Sequence, residues 1–179
     1  MLKKIFFFIL FFLFSISIAF TEDLKFTKIL NLDKPWGSSF LNKNELIITE
    51  KGGKIKIVNI KTEKVLEIEH NLNFLEYGQG GLLDIIYKNE NVWISYAEDR
   101  GNQKTSTSIA KAKIDKNKLN FKNIFQSNPP INSRYHFGSR LAIKGDYLFA
   151  SVGERGGGMI AQDPTKHPGS IIRINLDGG

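Results

Sequence analysis

Two short stretches set side chains that can carry protons beside glycine turns: Tyr135-His136-Phe137-Gly138-Ser139-Arg140-Leu141 and Ser151-Val152-Gly153-Glu154-Arg155-Gly156. Together they hold an imidazole, a carboxylate and two guanidinium groups. Glycine opens turns that other residues cannot take, so ionisable neighbours can stand at a rim instead of packing in a core. An imidazole changes charge close to neutral pH, which makes His136 the candidate for proton transfer. The same spacing fits solvated turns around a hydrogen-bonded structural histidine, and both readings stand at this point.

The elements that must position these residues read as all-β. Short runs rich in β-branched and aromatic residues are separated by turn residues, and no helical periodicity survives more than two turns. The expected strands are Trp36–Leu41, Glu45–Glu50, Lys54–Asn59, Lys64–Ile68, Leu82–Tyr87, Asn91–Glu98, Thr105–Ile114, Leu119–Phe125, Ser139–Ile143, Tyr147–Val152 and Ser170–Asn175. Asn42-Lys43-Asn44, Lys51-Gly52-Gly53, Lys88-Asn89-Glu90, Asp115-Lys116-Asn117 and Lys144-Gly145-Asp146 supply the tight-turn chemistry. Trp36–Ile68 and Gly80–Phe125 each hold about four strands, and Gly138–Asn175 opens a third unit with an insertion, Gly156–Gly169. That rhythm predicts a β-propeller, in which radial repetition limits exposed edges; a sandwich is the competing arrangement. At roughly 40–50 residues per blade, the chain supplies about three of the ~4–8 blades of a propeller. Asn175-Leu176-Asp177-Gly178-Gly179 is a turn signal that normally introduces another strand, so the chain is expected to end inside its domain.

Residues 1–19 read as a signal peptide. Lys3-Lys4 precede an apolar run, Ile5 to Ile18, and Ser17-Ile18-Ala19 offers small residues for cleavage. The run is shorter than the roughly 20 residues a membrane-spanning helix needs, so no stable span is expected after cleavage. A periplasmic or secreted location follows, and the lack of cysteine excludes disulfides. Residues 20–179 form the expected domain, long enough for a real core. Setting Lys3 and Lys4 aside, 23 Lys+Arg stand against 18 Asp+Glu. The lysines are scattered through turns and form no stripe interleaved with aromatics, which argues against nucleic-acid binding.

Four segments, in order, resemble the soluble PQQ-dependent aldose sugar dehydrogenases, the glucose/sorbosone dehydrogenase family. They are Pro35-Trp36-Gly37-Ser38-Ser39-Phe40 with Thr49-Glu50-Lys51-Gly52-Gly53; Gly78-Gln79-Gly80-Gly81-Leu82-Leu83-Asp84 with Ile94-Ser95-Tyr96-Ala97; His136-Phe137-Gly138-Ser139-Arg140-Leu141; and Gly153-Glu154-Arg155-Gly156 through Ala161-Gln162-Asp163-Pro164 to Arg173-Ile174-Asn175-Leu176-Asp177-Gly178. The resemblance implies a periplasmic six-bladed propeller that oxidises the anomeric carbon of aldoses to lactones, and it covers the amino-terminal half of such an enzyme. It places the general base on His136. Glu154 stands where the family has an aspartate that orients this base, one methylene longer; its other reading is an ion pair with Arg155 or Arg140. Gln79 matches a glutamine that hydrogen-bonds the sugar.

PQQ and calcium are the implied cofactors, held in the family mainly by later blades, so no cofactor-binding residue is assigned in this chain. The implied partner is an aldose sugar. Because three blades leave two edges open, self-association or a complementing carboxy-terminal half is also expected. The alternative is a non-catalytic secreted β-propeller fragment that binds carbohydrate or a partner protein. Arg140 is read as bridging blades, His70 and His167 as structural or exposed, Trp36 and Trp93 as blade packing, and Asp84, Asp163 and Asp177 as too isolated for a calcium loop.

Overall fold

The structure, a computed structural model, describes residues 24–179, so the expected leader over residues 1–19 lies outside the described residues. Twelve strands follow in order among them: β1 (Pro35–Asn42), β2 (Glu45–Glu50), β3 (Lys54–Asn59), β4 (Val65–His70), β5 (Leu82–Lys88), β6 (Asn91–Asp99), β7 (Thr105–Lys113), β8 (Lys118–Leu119), β9 (Lys122–Gln126), β10 (Gly138–Lys144), β11 (Tyr147–Val152) and β12 (Ile171–Asn175). They make three sheets, ordered β1-β2-β3-β4-β8, β5-β6-β7-β9 and β10-β11-β12. The three units expected from the turn pattern are therefore the three sheets. Apart from β8, neighbours are antiparallel, as tight turns require.

The middle sheet packs as a blade because its two faces serve two interfaces. Side chains alternate along a strand, so one strand can feed two cores. On β6, Val92, Ile94 and Tyr96 join Ile47, Ile55, Ile57 and Ile68 in the core between the first and second blades. Trp93 points the other way and joins Leu141, Leu148 and Ala150 between the second and third. Burying each large aliphatic or aromatic side chain contributes about 1.5–3 kcal/mol, which makes these two cores the main cohesion of the arc.

The blades are also joined by buried hydroxyls. The Thr49 hydroxyl donates to Leu83 O at 2.5 Å, and the Ser95 hydroxyl donates to Ser139 O at 2.6 Å. Asp84 is not isolated: its carboxylate accepts from Leu141 N at 2.8 Å and from Arg140 Nη1 at 3.2 Å, tying the second blade to the third. Arg140 thus bridges blades through a carboxylate.

Two local expectations need correction. The run Leu119–Phe125 is not one strand: β8 pairs in parallel with β4 of the first blade, whereas β9 pairs with β7. Asn71 explains the break, because its side chain accepts from Phe121 N at 2.7 Å and donates to Phe121 O at 3.1 Å, holding the chain where it crosses between blades. Among the described residues Trp36 is 44% exposed and packs between no two blades, in contrast to Trp93, which is buried with Nε1 donating to Leu176 O. No described helix is long and apolar enough to cross a membrane.

Candidate active site

The two chemistry-bearing stretches meet at one end of the third blade. His136 lies just before β10 and Glu154 just after β11, and Gly138 is paired with Val152, so both loops leave the hairpin at the same edge. Approach of their backbones is extreme. A Cβ on Gly153 would collide with the main-chain oxygen of His136, so only glycine fits there. Gly153 N donates to Phe137 O and Arg155 N to His136 O, stitching the loops together.

The backbone at the site is strained as well as close. His136, Ser139 and Arg155 have φ of 51°, 84° and 61°, a region that costs a non-glycine residue about 1–3 kcal/mol. Such strain persists only where surrounding bonds over-determine it. Arg155 supplies them: only 3% exposed, it donates to Tyr135 O (3.1 Å), Ser133 O (2.7 Å), Thr105 O (3.1 Å) and Thr105 Oγ1 (2.7 Å). Its guanidinium also lies 3.5 Å over the Phe137 ring. Burial pulls this guanidinium from its usual range down to about 10.

On this frame the His136 imidazole stands exposed, with Nδ1 hydrogen-bonded to Glu154 Oε1. The same carboxylate oxygen accepts from Gly156 N at 3.1 Å. The bond from His136 is the largest cause holding the Glu154 carboxyl below its ordinary range; partial burial opposes it, and backbone N–H donors add to it. Glu154 therefore pairs with His136 and not with Arg155 or Arg140. Gln79 arrives from the loop before β5, where its Oε1 accepts from His136 N at 2.8 Å and its own N–H donates to Arg134 O.

His136, Glu154 and Gln79 are thus brought together, and among the described residues the exposed imidazole makes its hydrogen bond through Nδ1. A neutral imidazole held in this way has one nitrogen committed to a carboxylate and the other available to a proton. His70 and His167 are elsewhere: His70 bonds Gly53 O and Leu72 N, and His167 accepts from Asn128 N. A cleft of about 270 Å³ between Glu45, Asn59, Lys64 and Lys116 lies at the first blade and does not include His136. Arg155 is the residue that sequence reasoning missed as part of the site, since nothing in Gly-Glu-Arg-Gly shows that the arginine turns inward.

A family model for glucose/sorbosone dehydrogenase matches residues 32–179, nearly the whole of the described chain. The chain belongs to the glucose/sorbosone dehydrogenase family. Among curated relatives of this family, it is similar to the aldose sugar dehydrogenase YliI of Escherichia coli strain K12, 31% identical over 157 residues that cover 82% of this chain and 42% of that protein. Among solved structures, a glucose dehydrogenase superimposes with a TM-score of 0.78 at 29% identity, over 83% of this chain and 46% of that one. The PQQ-bound aldose sugar dehydrogenase of Streptomyces coelicolor gives 0.72 at 25% identity, over 83% and 46%. The chain spans less than half the length of these relatives, so within the family's β-propeller it accounts for a partial ring of three blades.

Proposed function

We propose that this segment supplies the proton-accepting side of a PQQ-dependent aldose oxidation. The observation that carries the reading is the His136–Glu154 pair, with Gln79 pinning the backbone of the same histidine. As the anomeric carbon is oxidised, its hydroxyl proton passes to His136 Nε2, its hydrogen leaves with two electrons, and the C–O single bond becomes the lactone carbonyl. Glu154 keeps Nδ1 protonated, so that Nε2 is the basic nitrogen, and then stabilises the imidazolium. The Gln79 amide group, whose oxygen faces His136 N, presents its NH2 to a sugar oxygen.

Oxidation also needs a two-electron acceptor, and in this reading PQQ with calcium supplies it. In this reading no residue of this chain is assigned to hold either group; Arg155 is engaged by carbonyls and Arg140 by Asp84. The chemistry assigned to this chain is therefore that of the proton and the sugar hydroxyls. The basic-then-apolar residues 1–19 fit export, where such a quinone enzyme would meet sugar.

An NMR titration of isotope-labelled chain with D-glucose tests the substrate side. Shifts centred on the His136 imidazole and the Gln79 amide support it, and an unperturbed imidazole at saturating sugar overturns it. In a completed propeller that carries its quinone site, His136→Ala is expected to lower kcat for dye-linked sugar oxidation by ~10²–10⁴ with quinone affinity unchanged. An equal loss of quinone binding would make His136 a structural or cofactor residue instead.

A further inference from the structure

The second blade changes chemistry along the face it turns to the third. Toward one end that face carries Trp93 and Ile109, packed with Leu141, Leu148 and Ala150. Toward the site it carries three buried hydroxyls, those of Ser95, Thr105 and Thr107. Side chains alternate along a strand, so Ser108 turns the other way, where it donates to Glu98 Oε2 at 2.7 Å.

A hydroxyl removed from water costs free energy unless it finds a partner. All three find one on the segments that carry the proton-handling pair. Thr105 Oγ1 accepts from Arg155, the Ser95 hydroxyl donates to Ser139 O, and the Thr107 hydroxyl donates to Phe137 O at 2.9 Å. Every group in these contacts belongs to the second or third blade or to the loops that join them.

Phe137 directly follows the histidine, and both its main chain and its ring are gripped. Its carbonyl oxygen offers two lone pairs, and the two shortest donors to it are Thr107 Oγ1 and, at 3.0 Å, Gly153 N from the loop of Glu154. One atom thus ties both site loops to the second blade. The ring packs with Leu83 and Ala97, and Ala97 is the cross-strand partner of Thr107. It also abuts Gly80, where an added Cβ would come within 2.5 Å of it. Gly80 directly follows Gln79, so the neighbours of the two site residues touch, and the register of one against the other is set at Phe137. That register needs outside support, because His136, Gly138 and Ser139 all have positive φ, of 51°, 70° and 84°.

We propose that Thr107 is a positioning residue for His136: by holding Phe137 O on the second blade, it keeps the imidazole of the third blade and the Gln79 amide of the second at one sugar. It acts through Phe137 and touches neither sugar nor cofactor. The proposal rests on the proton-accepting role given to His136 above.

Amide hydrogen exchange of the isotope-labelled chain tests it, read at His136 N–H, the donor to Gln79 Oε1. Thr107→Val keeps the side-chain shape and removes the hydroxyl. His136 N–H is expected to exchange about tenfold faster, the factor of one lost buried hydrogen bond, while Ile47 and Ile94 in the blade cores keep their protection. Thr107→Ser returns the wild-type rate, and Ser108→Ala, which removes the neighbouring hydroxyl on the opposite face, leaves His136 unchanged. In the D-glucose titration, Thr107→Val raises the sugar concentration at half shift by about tenfold. An unchanged His136 rate in Thr107→Val would overturn the proposal, as would a rise shared by Ile94, matched by Ser108→Ala, or not reversed by Thr107→Ser. So would an unaltered glucose midpoint. A wild-type imidazole that ignores sugar, with the exchange results as expected, would instead remove the oxidation reading and leave the placement of His136 by Thr107 standing.

Discussion

Replacing Arg155 by methionine should disorder the His136 loop before it unfolds the protein. The guanidinium satisfies four oxygens on Thr105, Ser133 and Tyr135, burial lowers its pKa, and among the described residues it makes no ion pair with a carboxylate. Hydrogen bonds from a charged donor contribute roughly 1.5–3 kcal/mol each, and burial of an uncompensated cation opposes them by several kcal/mol. Methionine fills the volume over Phe137 but leaves the oxygens unmatched, which places the net cost at about 3 kcal/mol. For a domain of this size that is a fall in melting temperature of roughly 6–12 °C. Two readouts separate the local from the global effect. Urea unfolding followed by the fluorescence of buried Trp93 reports the blades, and the downfield proton signal of His136 Nδ1–H reports its bond to Glu154. The variant should lose the Nδ1–H signal at temperatures where the blades remain folded, and Arg155→Lys should not restore it, because one ammonium cannot span acceptors on two segments. A variant that melts with the wild type, or that keeps the Nδ1–H signal, would refute the view that Arg155 holds the site in its strained form.

The pair should also respond to acid in a definite direction. The Glu154 carboxyl is held below its ordinary range, first by the bond from His136, so its contribution is present above the ordinary carboxylate pKa and is lost as pH falls through the lowered value; a carbon-detected titration of Glu154 with an ordinary or raised midpoint would contradict this. Gly153→Ala drives a methyl into the main-chain oxygen of His136 and is expected to cost about 3 kcal/mol or more in urea unfolding; an unchanged midpoint would show that the two loops are not held together at that point.

The strand boundaries were legible because they are set by local chemistry. Runs such as Glu45–Glu50 and Lys54–Asn59 are framed by turn residues and appear as expected. Leu119–Phe125 was not legible, because its division depends on Asn71, fifty residues away, capturing both polar groups of Phe121. Trp36 misled for a similar reason: its residue type suggests burial, but whether a neighbouring blade covers it is a tertiary matter. The family's motifs singled out His136, Glu154 and Gln79 as candidates, and the structure brings the three together. The inward turn of Arg155 was not legible, since a charged residue whose partners are mainly main-chain carbonyls leaves no complementary residue type to notice in the sequence.

The position of the His136–Glu154 contact bears on how the chain comes to function. Its partners are only eighteen residues apart, at the two ends of one hairpin, and the groups that brace them, Gln79, Thr105 and Ser133, come from the second blade or the loops entering and leaving it. Among the described residues no hydrogen bond joins the first blade to the pair. Loop closure over so short a separation is fast and entropically inexpensive. The end of the molecule that holds this pair can therefore form as the second and third blades collapse, ahead of any ring closure, and it should persist through excursions in which the first blade frays.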